Sequence, residues 1–372
     1  MSKARELAEL GAVYDSGALS NRNLMHNPKM EVAQRGTSFS YSAGQSAALL
    51  DRWFVAIGSS YNFDTTISQS TTTPSGEGFK YSLKVEMDAA ITPSGSENGG
   101  IFMKFEGQDF DQLSYGTSSA QSVTLSFWVR SNKTGTYCCQ IQVNTGDSTT
   151  GNKYSHVKEY TISAANTWEK KTLTFSGLTA QAITQTTTDG FRMIWWLSVG
   201  ADDKIASADT WTQTPSFLST SNQVNFADSA SNEWYVTGVQ LEVGDTATDF
   251  EHRSFDDEFQ RCQRYFQTWG EDSGPHTLGA GLWYSGDQIL GSMVYNKTMR
   301  ASPTCTVNAA DWGQCYRAAS SITTNDTTPV DVVRIDRLRF NLQAASSGTN
   351  GQGTLIQIRS GTEKYLRLDA EL

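Results

Sequence analysis

Few side chains in this chain are placed to make or break bonds. Its four histidines, His26, His156, His252 and His276, lie far apart and show no metal-site spacing. No Gly-x-Ser-x-Gly elbow and no phosphate-cradling Gly-Lys-Ser/Thr loop occurs. Of the five cysteines, Cys138 and Cys139 are strand neighbours whose side chains point to opposite faces, which makes them poor partners. Cys262 sits on the apolar side of a predicted helix, and nothing requires Cys305 and Cys315 to pair; buried free thiols are expected. Carboxylates are plentiful, but a glycoside-cleaving pair is defined by a separation in space that the sequence does not give. No catalytic residue, metal or cofactor is therefore assigned, and a non-enzymatic protein is expected.

The remaining candidates are aromatic and cationic side chains in strand-like runs. In SVTLSFWVR, Val123, Leu125, Phe127 and Val129 share one face, leaving Trp128 and Arg130 on the other. In FRMIWWLSV, Phe191, Met193, Trp195, Leu197 and Val199 share a face, leaving Arg192 and Trp196 opposite. Outward tryptophans have three readings: covered by a loop of their own domain, buried against another subunit or a larger particle, or open as a platform on which a sugar ring stacks.

The elements that must carry these residues follow from composition and pattern. At 372 residues the chain exceeds what one core usually serves, so two domains are expected. Ten tryptophans among abundant Ser, Thr, Gly and Asn suit a β protein with many turns. A net charge of −10 argues against nucleic acid as a partner. The charged opening SKARELAEL is not expected to act as a secretory leader, and no apolar run approaches the roughly 20 residues of a membrane helix.

About nine alternating runs between residues 36 and 250 predict a two-sheet β-sandwich. Ser254 then stands as a helix N-cap before Asp256, Asp257 and Glu258. Phe255, Phe259, Cys262 and Phe266 recur at helical spacing, and Gly270 is the expected stop. Residues 271–372 hold six short strand-like runs, a second and smaller β domain. In it VVRIDRLRF reads as one strand with Arg337 and Arg339 on one face, either in ion pairs or as an anion-binding patch. Residues 1–35 do not read as part of either domain.

Three stretches carry a resemblance to a known family. GVQLEVGDTATDFEHRSFDDEFQRCQRYF resembles a recurrent segment of bacteriophage tail fibres and other virion appendage proteins. NRNLMHNPKMEVAQRG is similar to the N-terminal segment of such fibres, departing from it at His26 and Pro28. NKTMRASPTCTV resembles the MRAxPT segment that follows the Cys-Gln-Arg-Tyr helix in the same proteins. The runs LSFWVR, NTWEKKTLTF and WWLSVG are also similar, at the level of fold, to jelly-roll carbohydrate-binding modules.

These resemblances imply a mainly β chain: an extended N-terminal arm (1–35), a jelly-roll sandwich (36–250), a connecting helix (251–270) and a C-terminal β domain (271–372). They imply a structural virion protein assembled in the host cytoplasm, a homotrimer that attaches to other virion proteins through its arm. Leu7, Leu10, Tyr14, Leu19 and Leu24 are the arm's candidate contacts. The implied ligand is a host-surface glycan, with Trp128, Trp196, Arg130 and Arg192 as candidate binding residues. A capsid decoration or tail adaptor acting only in assembly is the rival reading, and a polysaccharide depolymerase the third.

Overall fold

The computed structural model describes residue 3 and residues 21–372 apart from 43, 45, 59–60, 145–152, 206–207, 214–217, 271–273, 309, 318–319, 325–329 and 362–363. Leu7, Leu10, Tyr14 and Leu19 lie outside the described residues. The chain divides into two compact units, Met1–Glu258 with Leu372, and Phe259–Glu371.

The first unit is a β-sandwich of jelly-roll type. One sheet has six strands in the spatial order Ser38–Tyr41, Thr65–Ser70, Ser82–Met87, Glu233–Val243, Val123–Ser131 and Glu169–Phe175. The other has seven, in the order Trp211–Thr212, Lys153–Ile162, Gly135–Asn144, Asp189–Val199, Asn98–Glu106, Trp53–Ile57 and Ser46–Ala48. The predicted inward residues fill the space between them, except Val199, which a shift in register between Trp196 and Ser198 turns to the other face, where it packs with Trp196. Leu83, Val123, Leu125, Phe127, Val129, Phe191, Met193, Trp195 and Leu197 are all fully buried in one core with Trp53 and Trp234. Each such side chain contributes about 1.5–3 kcal/mol by leaving water. Trp195 lies 5.4 Å from Trp53 and meets Phe127 edge-on at 5.8 Å, tying the two sheets together.

Glu233–Val243 changes the face it buries partway along. Trp234 and Val236 point into the core, and so do Val239 and Leu241. A break in register between Thr237 and Gln240 absorbs the change of parity, and Gly238 sits there at φ 59°. A Cβ on Gly238 would come within 2.5 Å of Phe79, so only glycine fits.

Residues 21–35 are built into the first unit rather than standing apart as an arm. Met25, Met30 and Val32 are buried. Leu24, expected as a virion contact, is half-buried against the core and its amide donates to the Leu241 carbonyl (2.8 Å). The cause is polar as much as apolar, because the backbone of this segment is satisfied by side chains from residues 239–258, described below.

The helix runs Phe255–Gln263. Its N-cap is as expected, with the Asp257 amide donating to Ser254 Oγ (3.1 Å). It is shorter than expected. Phe266–Gly270 is a strand paired with Tyr365–Asp369, and Phe255 is 54% exposed. Strand pairing captured Phe266, and Gly270 (φ 97°) ends that strand instead of the helix.

The second unit contains a three-stranded sheet, Phe266–Gly270, Tyr365–Asp369 and Thr304–Val307. Its seven-stranded sheet has the order Ser320–Thr323, Gly313–Arg317, Gly353–Ile358, His276–Ser285, Gln288–Val294, Arg337–Gln343 and Val330–Val333. Trp283, Trp312, Leu338, Phe340, Leu342 and Ile356 form its core. VVRIDRLRF is a hairpin, not one strand. Val333 pairs with Leu338, and the Arg334 amide donates to the Arg337 carbonyl across the turn (2.9 Å).

Candidate functional site

The four expected glycan-binding residues do not share a face. Trp128 and Arg130 stand on the outer face of the six-stranded sheet, and Arg192 and Trp196 on the outer face of the seven-stranded one. The sandwich core separates the two pairs.

Trp196 is 5% exposed, packed in a small cluster with Phe54, Phe102, Ile194 and Leu218. Its indole donates to Gln140 Oε1 (2.9 Å) and its carbonyl accepts from Gln223 (3.0 Å). Residues of its own unit thus cover it and satisfy its polar atoms. Arg192 is held by Asp189 (2.6 Å from Nε), and its guanidinium lies over the Phe102 ring at 5.9 Å. This face offers a ligand little open aromatic surface.

Trp128 is half-buried. It pairs with Lys170 on one neighbouring strand and Thr237 on the other. One step along, Arg130 pairs with Tyr235 and its guanidinium lies 4.9 Å from the Tyr235 ring. Arg130 also donates to the Asn166 carbonyl (3.0 Å) and side chain (3.1 Å). The half-buried Trp168 meets Tyr235 edge-on at 6.1 Å. Lys84 closes the group, 2.8 Å from both Glu86 and Glu233, while the Tyr235 hydroxyl donates to Glu233 (2.9 Å). Half-exposed indoles beside fixed cations, carboxylates and an amide match what a sugar ring needs: an apolar face to stack on and partners for its hydroxyls.

Tyr235, Trp168, Lys84 and Glu233 were not singled out from sequence. Tyr235 carried a signal, because it lies between the inward Trp234 and Val236 and must face outward. Trp168 precedes its strand, where alternation is silent.

The electrostatics of this group are those of a fixed network. Burial would raise the Glu233 carboxyl, but Lys84 and Tyr235 outweigh it and hold the group below its usual range. Burial would lower Lys84, and the hydrogen bonds it donates to Glu233 and Glu86 outweigh that and raise it. A carboxyl held ionised on a lysine is a poor proton donor, so Glu233 is not poised as the acid of a glycoside-cleaving pair.

Ser176, His156 and Asp209 come together without forming a catalytic triad. Ser176 Oγ (3.4 Å) and Asp209 Oδ1 (3.6 Å) both approach His156 Nε2, and His156 Nδ1 is buried without a partner. A triad needs the hydroxyl on one ring nitrogen and the carboxylate on the other. Burial lowers the His156 pKa to about 4 despite Asp209, and the ring packs edge-on against Phe175 (5.2 Å) and Trp211 (5.1 Å). His156 is a neutral packing residue. None of the five cysteines is disulfide-bonded, and burial raises Cys138 and Cys315 to about 11, Cys305 to about 12 and Cys139 well above its usual value, so none of these four is poised as a thiolate. Among the described residues no group of three His, Cys, Asp or Glu is placed to hold a metal, and no helix is long and apolar enough to cross a membrane.

The motifs that carried the resemblance turn out to be one another's partners. In the first unit Asn23 Oδ1 accepts from Leu241 (3.1 Å), and Asn23 Nδ2 donates to the Val239 carbonyl (3.0 Å). The Asn23 amide donates to Glu251 (2.9 Å), and Arg253 donates to the Met25 carbonyl (2.9 Å) and to Glu258 (3.0 Å). Gln240 and Glu242, outward on their strand, bond the turn that follows: Gln240 Oε1 accepts from the Glu251 amide (2.8 Å) and Glu242 from the Thr248 amide (2.9 Å). In the second unit the Arg300 amide donates to the Arg264 carbonyl (2.9 Å), joining the Met-Arg-Ala and Cys-Gln-Arg-Tyr segments, and the Arg300 guanidinium binds the carbonyls of Ala370 (2.8 Å) and Glu371 (3.0 Å). These motifs specify the fold and leave few of their polar atoms for a ligand.

Comparison of the sequence with protein-family profiles and with curated proteins finds no match. Among solved structures, the chain is similar to the enzymatically active domain of bacteriophage CBA120 tailspike protein 4, at 12% identity and a TM-score of 0.29, over 52% of this chain and 19% of that one. It is also similar to the C-terminal family 22 carbohydrate-binding module of Clostridium thermocellum Xyn10B, at 12% identity and a TM-score of 0.32, over 62% of this chain and 99% of that one. The CBM22-2 xylan-binding domain of Paenibacillus barcinonensis Xyn10C gives 13% identity and 0.31, over 55% and 98%. The sandwich assignment above rests on the two facing sheets themselves.

Proposed function

We propose that this chain is a structural component of a phage virion, a tail fibre or similar appendage, and that its sandwich binds a host-surface glycan without cleaving it. The observation that carries the binding role is the outer face of the six-stranded sheet, where the half-buried Trp128 stands beside the Arg130–Tyr235–Trp168 group. The virion setting is supported by the three fibre-like segments of the sequence. Their mutual hydrogen bonding gives a physical reason for such segments to occur together. Attachment would use residues 1–20, with Leu7, Leu10, Tyr14 and Leu19 as the contacts. A homotrimer repeated around a particle would turn a weak site per chain into firm adhesion through effective concentration.

Two measurements test the setting and the role separately. Antibody against the chain should label the tail region of intact particles in electron micrographs. Labelling of the head would select the decoration role instead. Purified protein should bind host cells saturably and release no reducing sugar; release of sugar would replace binding with depolymerisation.

A further inference from the structure

The seven-stranded sheet of the second unit buries one face and exposes large apolar side chains on the other. Leu282 (44%), Leu355 (47%), Tyr284 (60%) and Val294 (74%) are exposed on it. Scattered exposed apolar residues are ordinary, but four on one sheet face call for a partner. An open groove of about 650 Å³ crosses this face, within the size range of small-molecule sites. Leu282, Leu290 and Val332 line it, together with Arg334, Arg337 and Arg339.

The three cations are not equivalent. Arg337 is paired with Asp336 (3.1 and 2.6 Å), and Arg339 makes a fork to Asp331 (2.8 and 2.6 Å). Arg334, at the tip of the hairpin, donates to the Val333 carbonyl (3.2 Å) and makes no ion pair among the described residues. The groove therefore joins an aliphatic wall to one positive charge that no described carboxylate pairs, in a chain whose net charge is −10. A polar, uncharged sugar would gain little from such a wall. A second copy of this face would bring no free carboxylate to Arg334, because Asp331 and Asp336 are already engaged.

We infer that the groove binds a single-chain anionic amphiphile, with its aliphatic chain along Leu282, Leu290 and Val332 and its carboxylate or phosphate head on Arg334. The test is calorimetric titration of the full chain with dodecyl phosphate and with laurate, below their micelle concentrations, and with dodecyl maltoside as the neutral counterpart. Saturable binding of both anions at one site is expected, weakened at least tenfold by Arg334→Ala and abolished by Leu282→Asp, each variant checked for an unchanged melting temperature. Dodecyl maltoside should bind at least tenfold more weakly. Equal binding of the neutral amphiphile, or no effect of Arg334→Ala, would overturn the assignment. So would binding only to anionic lipid vesicles, which would make the face a membrane contact. Light scattering gives the last arm: an oligomer that Leu282→Asp dissociates would mean the face is an interface between copies.

Discussion

The Asn27 backbone amide donates a 2.6 Å hydrogen bond to Glu258 Oε1, joining residues 231 positions apart. Asn27 is held in turn. Its side chain bonds Val32 at both the amide (3.0 Å) and the carbonyl (2.8 Å), and donates to the Asp51 carbonyl (3.0 Å). Its own carbonyl accepts from the Trp53 indole (3.1 Å). Glu258 accepts from Arg253 as well, and both side chains are almost wholly buried. The beginning and the end of the sandwich sequence are thus fastened by a satisfied polar network, which costs little while complete and much when one member is removed.

That network gives the first prediction. Glu258→Gln removes one of the two carboxylates that Arg253 meets, leaving Glu251 at 3.3 Å, and should cost the first unit about 2 kcal/mol in denaturant unfolding. Asn27 has φ 47°, so Asn27→Gly keeps the backbone while removing the side-chain bonds. It should cost about 2–3 kcal/mol. Losses below about 0.5 kcal/mol for both would mean that the network does not fasten the sandwich.

His156 supplies a pH dependence. Its folded pKa is about 4, against the usual 6.5 that the unfolded chain would show. The unfolded state therefore binds the extra proton first as pH falls. Stability conferred by the neutral ring is complete above about pH 6.5 and declines as pH falls toward 4, a loss of roughly 3 kcal/mol over that window. Stability measured from pH 7 to pH 4 should show this decline in the wild type and a shallower one in His156→Phe. Identical slopes would remove His156 as the cause.

The two tryptophans once grouped by outward alternation should part company on mutation. Trp196→Ala empties a buried site and removes the indole donor from Gln140 Oε1, so it should destabilise by about 3–5 kcal/mol. Trp128→Ala, on a half-buried position, should cost under about 1.5 kcal/mol. Thermal unfolding of the two variants decides this, and equal losses would mean that Trp128 is also a packing residue.

Much of the fold was legible because burial imposes period two on strands. The inward sets of Val123–Ser131 and of Asp189–Val199 as far as Leu197 follow directly from it. The Ser254 cap was legible because it is local chemistry. What escaped depended on distance or on choice between partners. Nothing local says that Asn23 will bond Leu241, so residues 21–35 looked detached. Phe266 fits a helix face equally well, and the pairing of Phe266–Gly270 with Tyr365–Asp369, about a hundred positions away, decided against it. Alternation placed Trp128 and Trp196 outside the core, but it does not say on which sheet. That is why one candidate surface became two, and why strand pairing is needed to bring Tyr235 and Trp168 beside Arg130 on the Trp128 face.

The central claim is that the Trp128 face of the six-stranded sheet binds glycan. The direct test is titration of extracted host surface polysaccharide against the wild type, Trp128→Ala, Trp168→Ala and Arg192→Ala, with reducing ends assayed in the same samples. Saturable wild-type binding is expected, weakened at least tenfold in Trp128→Ala and Trp168→Ala at unchanged melting temperature, unaltered in Arg192→Ala, and without released sugar. Unchanged binding in Trp128→Ala, or loss only in Arg192→Ala, would contradict it.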